Sequence, residues 1–350
     1  MRSIVWCLGG FALLALIGMP GAYARESLDQ QLRQPVDRAG INQRRDVADQ
    51  LLRLGERQSA EGDYTSAIKA WGRAADLYYD IGDAASMERA YGNIGRAYGQ
   101  LGDFSGAETA VRRQLAIARD NQNFNTQVFA WNALGTLQLQ QGAVESATQA
   151  YEEALNIAYS INSNEGIGLS LSNLGLLSAA QGDYAAAIDY YEVAGDYRIR
   201  SANIAGRANT GNNLGDAYVA SGQPKKAIGP YLVALSYARE SENVAAQLQS
   251  IDGLIDVYMG ELDWSQVRRY LDERIALTFN TSDDSVDNIR ARLLTYKRLG
   301  EFYEATGERA LAKEQYEWAY ALARSLDQTA LKAELFNRLL RFEDVQDGSD

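Results

Sequence analysis

The chain contains no histidine and a single cysteine, and these two shortages exclude much of enzyme chemistry. Histidine is the usual general base, and cysteine supplies the thiol nucleophile and, with histidine, nearly all zinc ligands. The 31 glycines do not form a nucleotide-binding loop between a strand and a helix. Only a hydrolase that uses carboxylates alone would remain, and no such site is readable. The sequence therefore predicts a non-enzymatic protein.

Long apolar runs are also scarce, and the one present lies at the N-terminus. Residues 4–17 follow Arg2 and precede Ala22-Tyr23-Ala24. A basic start, a short apolar stretch and a small-x-small site are typical of a secretory signal peptide. We therefore predict a signal peptide over residues 1–24 and export to a periplasm or similar space, the alternative being an uncleaved anchor. The run is shorter than the roughly 20 residues of a spanning helix, so no transmembrane segment is expected in the mature chain.

Cysteine and positive charge are both limited. Cys7 lies inside the apolar run, so a processed chain would have neither thiol nor disulfide. The 34 basic residues are outnumbered by 46 acidic ones, which gives a net charge of −12, and they form no continuous stripe. Nucleic acid and anionic membrane surfaces should be repelled. Basic peptides, basic protein faces and divalent cations remain as partner classes.

An internal repeat organises most of the chain. A glycine recurs every 40 residues, Ile255 keeps the same step, and Gly300 follows after 45. A turn residue lies seven positions later, a small residue, mostly alanine, twelve later and a bulky residue, mostly aromatic, sixteen later. The glycine positions are Gly55, Gly95, Gly135, Gly175 and Gly215, and the alanines include Ala67, Ala107, Ala147, Ala187, Ala227 and Ala312.

Each repeat reads as two helices. Apolar residues recur at helical spacing on both sides of a Gly-Asp-aromatic break such as Gly182-Asp183-Tyr184. The glycine of this break ends the first helix, and the aspartate caps the second. We predict that the first glycine and the alanine lie where the paired helices cross, so that the axes approach closely while the following aromatic fills the groove between neighbouring repeats. The glycines are then structural and not catalytic.

These residues resemble the tetratricopeptide repeat family. The resemblance is carried by the small-x-x-Tyr of the first helix, by the Gly-Asp-aromatic turn and by Ala-x-x-x-Tyr-x-x-Ala in the second, intact in Ala187-Tyr191-Ala194. Asn173-Leu174-Gly175 is similar to the signature of its long-helix subgroup. The resemblance implies an all-α fold, a right-handed α-solenoid of about seven helix pairs over residues 45–325. A helix or linker at residues 25–44, a capping helix at 326–342 and a disordered tail at 343–350 complete the predicted organisation.

The resemblance also implies a concave groove lined by the first helix of each repeat. Positions two and three before the first-helix glycine would face this groove and contact a peptide. An asparagine amide offers donors and an acceptor, so a ladder of them could hold a peptide backbone. The alternative is that these amides bond only within the helix stack. The candidate residues are Asn93, Asn132, Asn173, Asn212 and Asn213.

The C-terminal half of this groove is predicted to be acidic. The position after the glycine reads Asp216, Asp256 and Glu301 in the last three repeats, and Asp252 lies one turn before Asp256. Such a surface would favour a basic peptide or a divalent cation, unless it is merely solvated. Asp252 and Asp256 could share an ion through oxygen ligands, which suit manganese, calcium or magnesium.

Two classes of function follow from the sequence. The first is an exported, non-enzymatic scaffold or assembly factor that captures a segment of a client protein in its groove. A narrower version resembles the cyanobacterial periplasmic tetratricopeptide factors of photosystem II assembly, which would imply manganese delivery. The second class is a self-associating structural or envelope-organising protein, whose convex face or terminal caps would form a homo-oligomer.

Overall fold

The computed structural model describes residues 38–280 and 285–343, and these residues form fifteen helices and no strand. The predicted signal peptide, residues 25–37, residues 281–284 and the tail after Glu343 lie outside the described residues. In chain order the helices are α1 (Arg38–Ala60), α2 (Tyr64–Asp80), α3 (Ala84–Gln100), α4 (Phe104–Asp120), α5 (Phe124–Gln140), α6 (Val144–Ser160), α7 (Asn164–Ala180), α8 (Tyr184–Arg200), α9 (Ile204–Ala220), α10 (Pro224–Glu240), α11 (Val244–Gly260), α12 (Trp264–Phe279), α13 (Val286–Ala305), α14 (Arg309–Ser325) and α15 (Thr329–Glu343).

Helices α2 to α11 each contain 17 residues and are joined by three-residue turns, so helix starts recur every 20 residues. The middle residue of every turn from α1 to α12 has a positive φ. Gly62, at 81°, illustrates why this position is usually glycine, because left-handed backbone closes the helix without a Cβ penalty. Leu262 adopts the same conformation with a φ of 58°, so the sixth repeat keeps the turn without its glycine.

Odd-numbered helices from α1 to α13 are the first helices of the seven repeats, and even-numbered helices are the second. A Cβ placed at Gly175 would lie 2.7 Å from Cε1 of Tyr191, the aromatic residue 16 positions later. Gly135 meets Tyr151 in the same way at 2.5 Å. The glycine therefore makes room for a ring of its own repeat. The same ring also packs against the next repeat, as predicted: Tyr231 contacts Gly253 and clusters with Ile251 and Leu254 of α11.

The core runs along the stack between consecutive helices. Ala147 and Tyr151 of α6 pack with Leu174 and Leu177 of α7, which join the third repeat to the fourth. Each helix contacts the helix before and after it, and neighbouring first helices also touch. Stability is therefore distributed over successive interfaces, as in other solenoids.

The two ends of the described chain differ from the predicted boundaries. Helix α1 begins at Arg38, so residues 38–44 are helical and continuous with the first repeat. The last helix, α15, begins at Thr329, three residues after the predicted start of the capping helix at residue 326. Its Leu335 is fully buried against Tyr316 and Leu293. Among the described helices, none has the length and apolar character required to cross a membrane.

Candidate functional site

Two of the predicted groove asparagines are buried between first helices. Asn132 is 3% exposed and Asn212 is 0% exposed. Nδ2 of Asn132 donates to Oγ of Ser170 at 2.9 Å, and Oγ of Ser250 donates to Oδ1 of Asn212 at 2.6 Å. Both asparagines thus join their helix to the first helix of the next repeat. These bonds correspond to the alternative stated above, in which the amides bond within the helix stack.

Of the other three asparagines, two form side-chain hydrogen bonds with neighbouring residues. Asn93 is 6% exposed, and its Oδ1 accepts a short hydrogen bond from the Arg96 guanidinium. Asn173 is half-buried and donates to Oδ1 of Asn132 at 2.8 Å. Asn213 is also half-buried, and no hydrogen bond holds its amide within the described part of the chain. Asn213 is therefore the member of the ladder best placed to contact a ligand.

Arginines neutralise two of the predicted groove carboxylates. Nε and Nη2 of Arg274 donate to the two carboxylate oxygens of Asp252 at 2.8 and 3.0 Å. Nη1 and Nη2 of Arg298 donate to those of Asp256 at 2.5 and 2.9 Å. Burial raises the pKa of Asp256, and Arg298 opposes this shift. The half-groove is less acidic than predicted, because bidentate pairs of this kind already satisfy both carboxylates.

Glu301 belongs to the same ion network. Its carboxylate lies 3.2 Å from Nζ of Lys297, 3.3 Å from Nη1 of Arg298 and 3.4 Å from Nη2 of Arg338. These contacts tie α13 to the capping helix α15. Within residues 38–280 and 285–343, no group of three or more His, Cys, Asp or Glu residues is arranged to hold a metal ion. The arginine pairs, moreover, occupy the oxygens of Asp252 and Asp256 that a shared ion would need.

Asp216 is the exception among these carboxylates. Its Oδ1 accepts a hydrogen bond from the Tyr231 hydroxyl at 2.6 Å, and its Oδ2 accepts one from Nε2 of Gln249 at 3.0 Å. The side chain is exposed, and no described Lys or Arg forms an ion pair with it. Burial, together with the bond to Asp216, raises the pKa of the Tyr231 hydroxyl above its ordinary value, so that hydroxyl remains a donor. Two neutral donors therefore hold a negative charge in a fixed position.

A cavity of about 600 Å³ opens in front of Asp216, between α9, α11 and α13. Val219, Leu248 and Leu294 supply much of its apolar lining. Val219 is 40% exposed and Leu294 36% exposed. The lining also includes Asp252, Asp256 and Asp287, each of which pairs with an arginine, so Asp216 is its carboxylate without a described cationic partner. Aliphatic walls with a few oriented polar groups are typical of a ligand pocket, where apolar area supplies affinity and polar groups supply orientation.

Further apolar surface lies on the first helices nearer the N-terminus. Phe129 of α5 is 41% exposed, and Leu176 of α7 is 42% exposed. They lie six residues before and one residue after their first-helix glycines, and the resemblance to tetratricopeptide repeats implies that both positions face the groove. First helices of the third to seventh repeats thus expose aliphatic or aromatic side chains together with Asp216.

Comparisons with known proteins agree with this architecture. A family model described as tetratricopeptide repeat matches residues 88–121 and 130–160, and a second such model matches residues 170–199. No curated protein sequence matches the chain.

Three solved structures illustrate the similarity. The signal transduction ATPase with a tetratricopeptide repeat sensor from Pyrococcus horikoshii is 17% identical, with 81% of this chain and 44% of that chain covered and a TM-score of 0.62. A Rap protein complexed with Competence and Sporulation Factor is 14% identical, with coverages of 84% and 74% and a TM-score of 0.54. The Rap conjugation gene regulator of plasmid pLS20, in complex with the Phr* peptide, is 15% identical, with coverages of 91% and 80% and a TM-score of 0.53.

At these identities the similarity describes the fold. The chain contains tetratricopeptide repeats, and its helix pairs build an all-α repeat solenoid of the kind that serves as a protein-interaction scaffold.

Proposed function

We propose that the groove formed by the first helices binds a peptide segment of a client protein, and that this segment carries a basic residue beside aliphatic ones. The observation that carries the proposal is the cavity at Asp216, where an oriented carboxylate without a cationic partner lies beside Val219, Leu248 and Leu294.

The chemistry of this cavity favours a peptide with mixed character. Aliphatic side chains of a ligand would bury the exposed walls, at roughly 25 cal/mol for each Å² of apolar surface removed from water. A lysine or arginine would replace the water at Asp216 with a charge-assisted hydrogen bond, which is stronger than a neutral one. Asp252 and Asp256 do not compete for this cation, because Arg274 and Arg298 already pair with them.

The related Rap regulator in complex with the Phr* peptide supports a peptide as the class of ligand, although only the fold is shared. Export and a periplasmic client stay predictions that rest on residues 1–24. Manganese delivery and photosystem II assembly rest on a sequence resemblance alone, and neither forms part of this proposal.

Peptide binding can be tested with defined probes. We suggest a fluorescein-labelled 12-residue peptide with several leucines and one central lysine, and a second peptide with glutamate in place of the lysine. Fluorescence anisotropy should show tighter binding of the lysine peptide. Asp216→Asn should weaken that binding about tenfold or more, since the loss of one charge-assisted contact is worth roughly 1.5–3 kcal/mol.

The matched control is Glu152→Gln, which removes an exposed carboxylate from the second helix α6. This variant should bind the lysine peptide like the unaltered chain, and circular dichroism should show the same helical content for both variants. Equal affinity for the two peptides, or an Asp216→Asn variant that binds normally, would show that Asp216 does not select the ligand.

A further inference from the structure

A second cleft lies at the junction of the fourth and fifth repeats, on the side formed by the second helices. Two positions that carry bulky residues in most other repeats are glycine here. Gly195 of α8 stands where other second helices have Leu115, Leu155, Leu235 and Ile275. Gly211 of α9 stands where other first helices have Tyr91, Trp131, Leu171 and Ile251.

The two glycines act differently. A Cβ placed at Gly211 would lie 3.1 Å from the carbonyl oxygen of Pro230, so this glycine permits a close approach of α9 and α10. A Cβ placed at Gly195 would meet no other atom within 4 Å. The side chain missing at Gly195 therefore leaves open space, and a slot of about 280 Å³ remains between α8, α9 and α10.

The slot continues into exposed apolar surface. Ile199 and Val233 line it and are 57% and 53% exposed. Val193 and Leu232, on the same two helices, are 46% and 42% exposed. Single exposed aliphatic residues are ordinary, but Ile199 and Val233 both line one open slot, and apolar residues grouped in this way mark a binding site.

Charge at the rim narrows the choice of partner. Glu192 and Asp196 lie one turn apart on α8 and line the slot, and no described residue pairs with Asp196. Arg207 also lines the slot, but its guanidinium donates to the carbonyl oxygens of Arg198 and Ile199 at 3.2 and 2.6 Å. Arg207 keeps its positive charge, so two carboxylates and one guanidinium leave a net negative charge at the rim, and Asp196 has no described partner there.

We propose that this slot docks one large apolar side chain from a basic segment of a partner protein. A cavity of roughly 150 Å³ admits a benzene ring, so the slot has room for one aromatic or aliphatic side chain. Positive charges beside that side chain would meet Glu192 and Asp196. A second copy of this chain is a poor complement, because its net charge of −12 would bring like charge to an acidic rim.

The test uses the purified full chain and a labelled 16-residue helical peptide with one central phenylalanine flanked by lysines. Gly195→Leu should fill the slot with the residue that three other repeats carry at this position, so the variant should stay folded. It should bind the peptide at least tenfold more weakly. Gly72→Leu is the matched control, because its Cβ also meets nothing within 4 Å, and this variant should bind normally.

Further outcomes decide between occupants. Replacing the phenylalanine of the peptide with alanine should abolish binding, and Asp196→Lys should reverse the preference between lysine- and glutamate-flanked peptides. Asp216→Asn should leave this interaction unchanged, so a failure of the slot proposal can be told apart from a failure of the groove proposal. The proposal is overturned if Gly195→Leu binds the peptide as tightly as the unaltered chain. Sedimentation that shows a homodimer abolished by Gly195→Leu would assign the slot to a second copy instead.

Discussion

At the scale of single residues, Gly175 controls how closely α7 and α8 approach. A Cβ at this position would lie 2.7 Å from the Tyr191 ring, which is itself 2% exposed and has little freedom to move. We predict that Gly175→Leu lowers the free energy of unfolding by about 1–3 kcal/mol through overpacking.

Urea denaturation followed by circular dichroism measures this change. The control is Gly72→Ala, since a helical glycine with open space around its Cβ should gain about 0.5–1 kcal/mol on becoming alanine. If Gly175→Leu is as stable as the unaltered chain, the close contact with Tyr191 does not limit the packing.

The glycines could be interpreted from the sequence, but the asparagines could not. The 40-residue glycine register located the helix crossings, because it repeats in sequence and a glycine there has one geometric purpose. The asparagines were harder, since Asn212 and Asn213 are adjacent yet one is fully buried between helices and the other is half-buried. Which of two neighbouring positions faces the groove depends on how the helices are stacked, and that angle is not written in the sequence.

Arg274 was missed although a signal was present. It stands where the second helices of other repeats carry Ala154, Ala194 and Ala234, and it is 1% exposed. A buried arginine needs a counter-charge, and Asp252 is the carboxylate it reaches. A joint departure from the repeat pattern at these two positions could have indicated the pair before the structure did.

At the scale of elements, most helices of this solenoid begin with a side-chain cap. The side chain of Asp183 accepts a hydrogen bond from the backbone N–H of Ala186 at the start of α8, at 3.0 Å. Helix α6 is different, because its N-cap residue is Ala143 and no side chain caps it, although the backbone at this position, with φ −83° and ψ 69°, is close to that of Asp183.

We therefore predict that Ala143→Asp stabilises the protein by about 0.5–2 kcal/mol, because it supplies a missing acceptor to α6. The reciprocal change, Asp183→Ala, should destabilise the protein by a similar amount. Thermal or urea denaturation compares the two variants. If Asp183→Ala destabilises the protein but Ala143→Asp does not stabilise it, the first N–H groups of α6 are already satisfied in another way.

Element boundaries followed from turn chemistry more than from apolar periodicity. A residue with positive φ lies at the middle of each turn every 20 residues, and an Asp, Asn or Ser often follows as the N-cap. This 20-residue spacing, half of the repeat length, is visible in the sequence, as in Gly82-Asp83 and Gly102-Asp103. It would also have placed the turns that join one repeat to the next. Helix α15 also follows such a turn, with Asp327 at a φ of 51°, so its start could have been placed in the same way.

At the scale of the whole molecule, the solenoid offers two different surfaces. First helices expose Leu176, Val219 and the oriented carboxylate of Asp216, while second helices expose the slot at Gly195. The fold class and the existence of a groove followed from the repeat. The charge of the groove did not, because the arginines that pair with Asp252 and Asp256 come from other helices.

Capture of a basic peptide segment is the function proposed for the groove as a whole. Its most direct test places a photo-crosslinking phenylalanine analogue at Leu176, which is 42% exposed on the first helix α7. Tyr79, which is 72% exposed on the second helix α2, is the control position. Crosslinked peptides from the native host are then identified by mass spectrometry.

We predict that Leu176 labels a defined segment containing lysine or arginine, that Tyr79 does not label it, and that Asp216→Asn removes the crosslink. Equal labelling from both positions, or crosslinks only to other copies of the chain, would contradict the account.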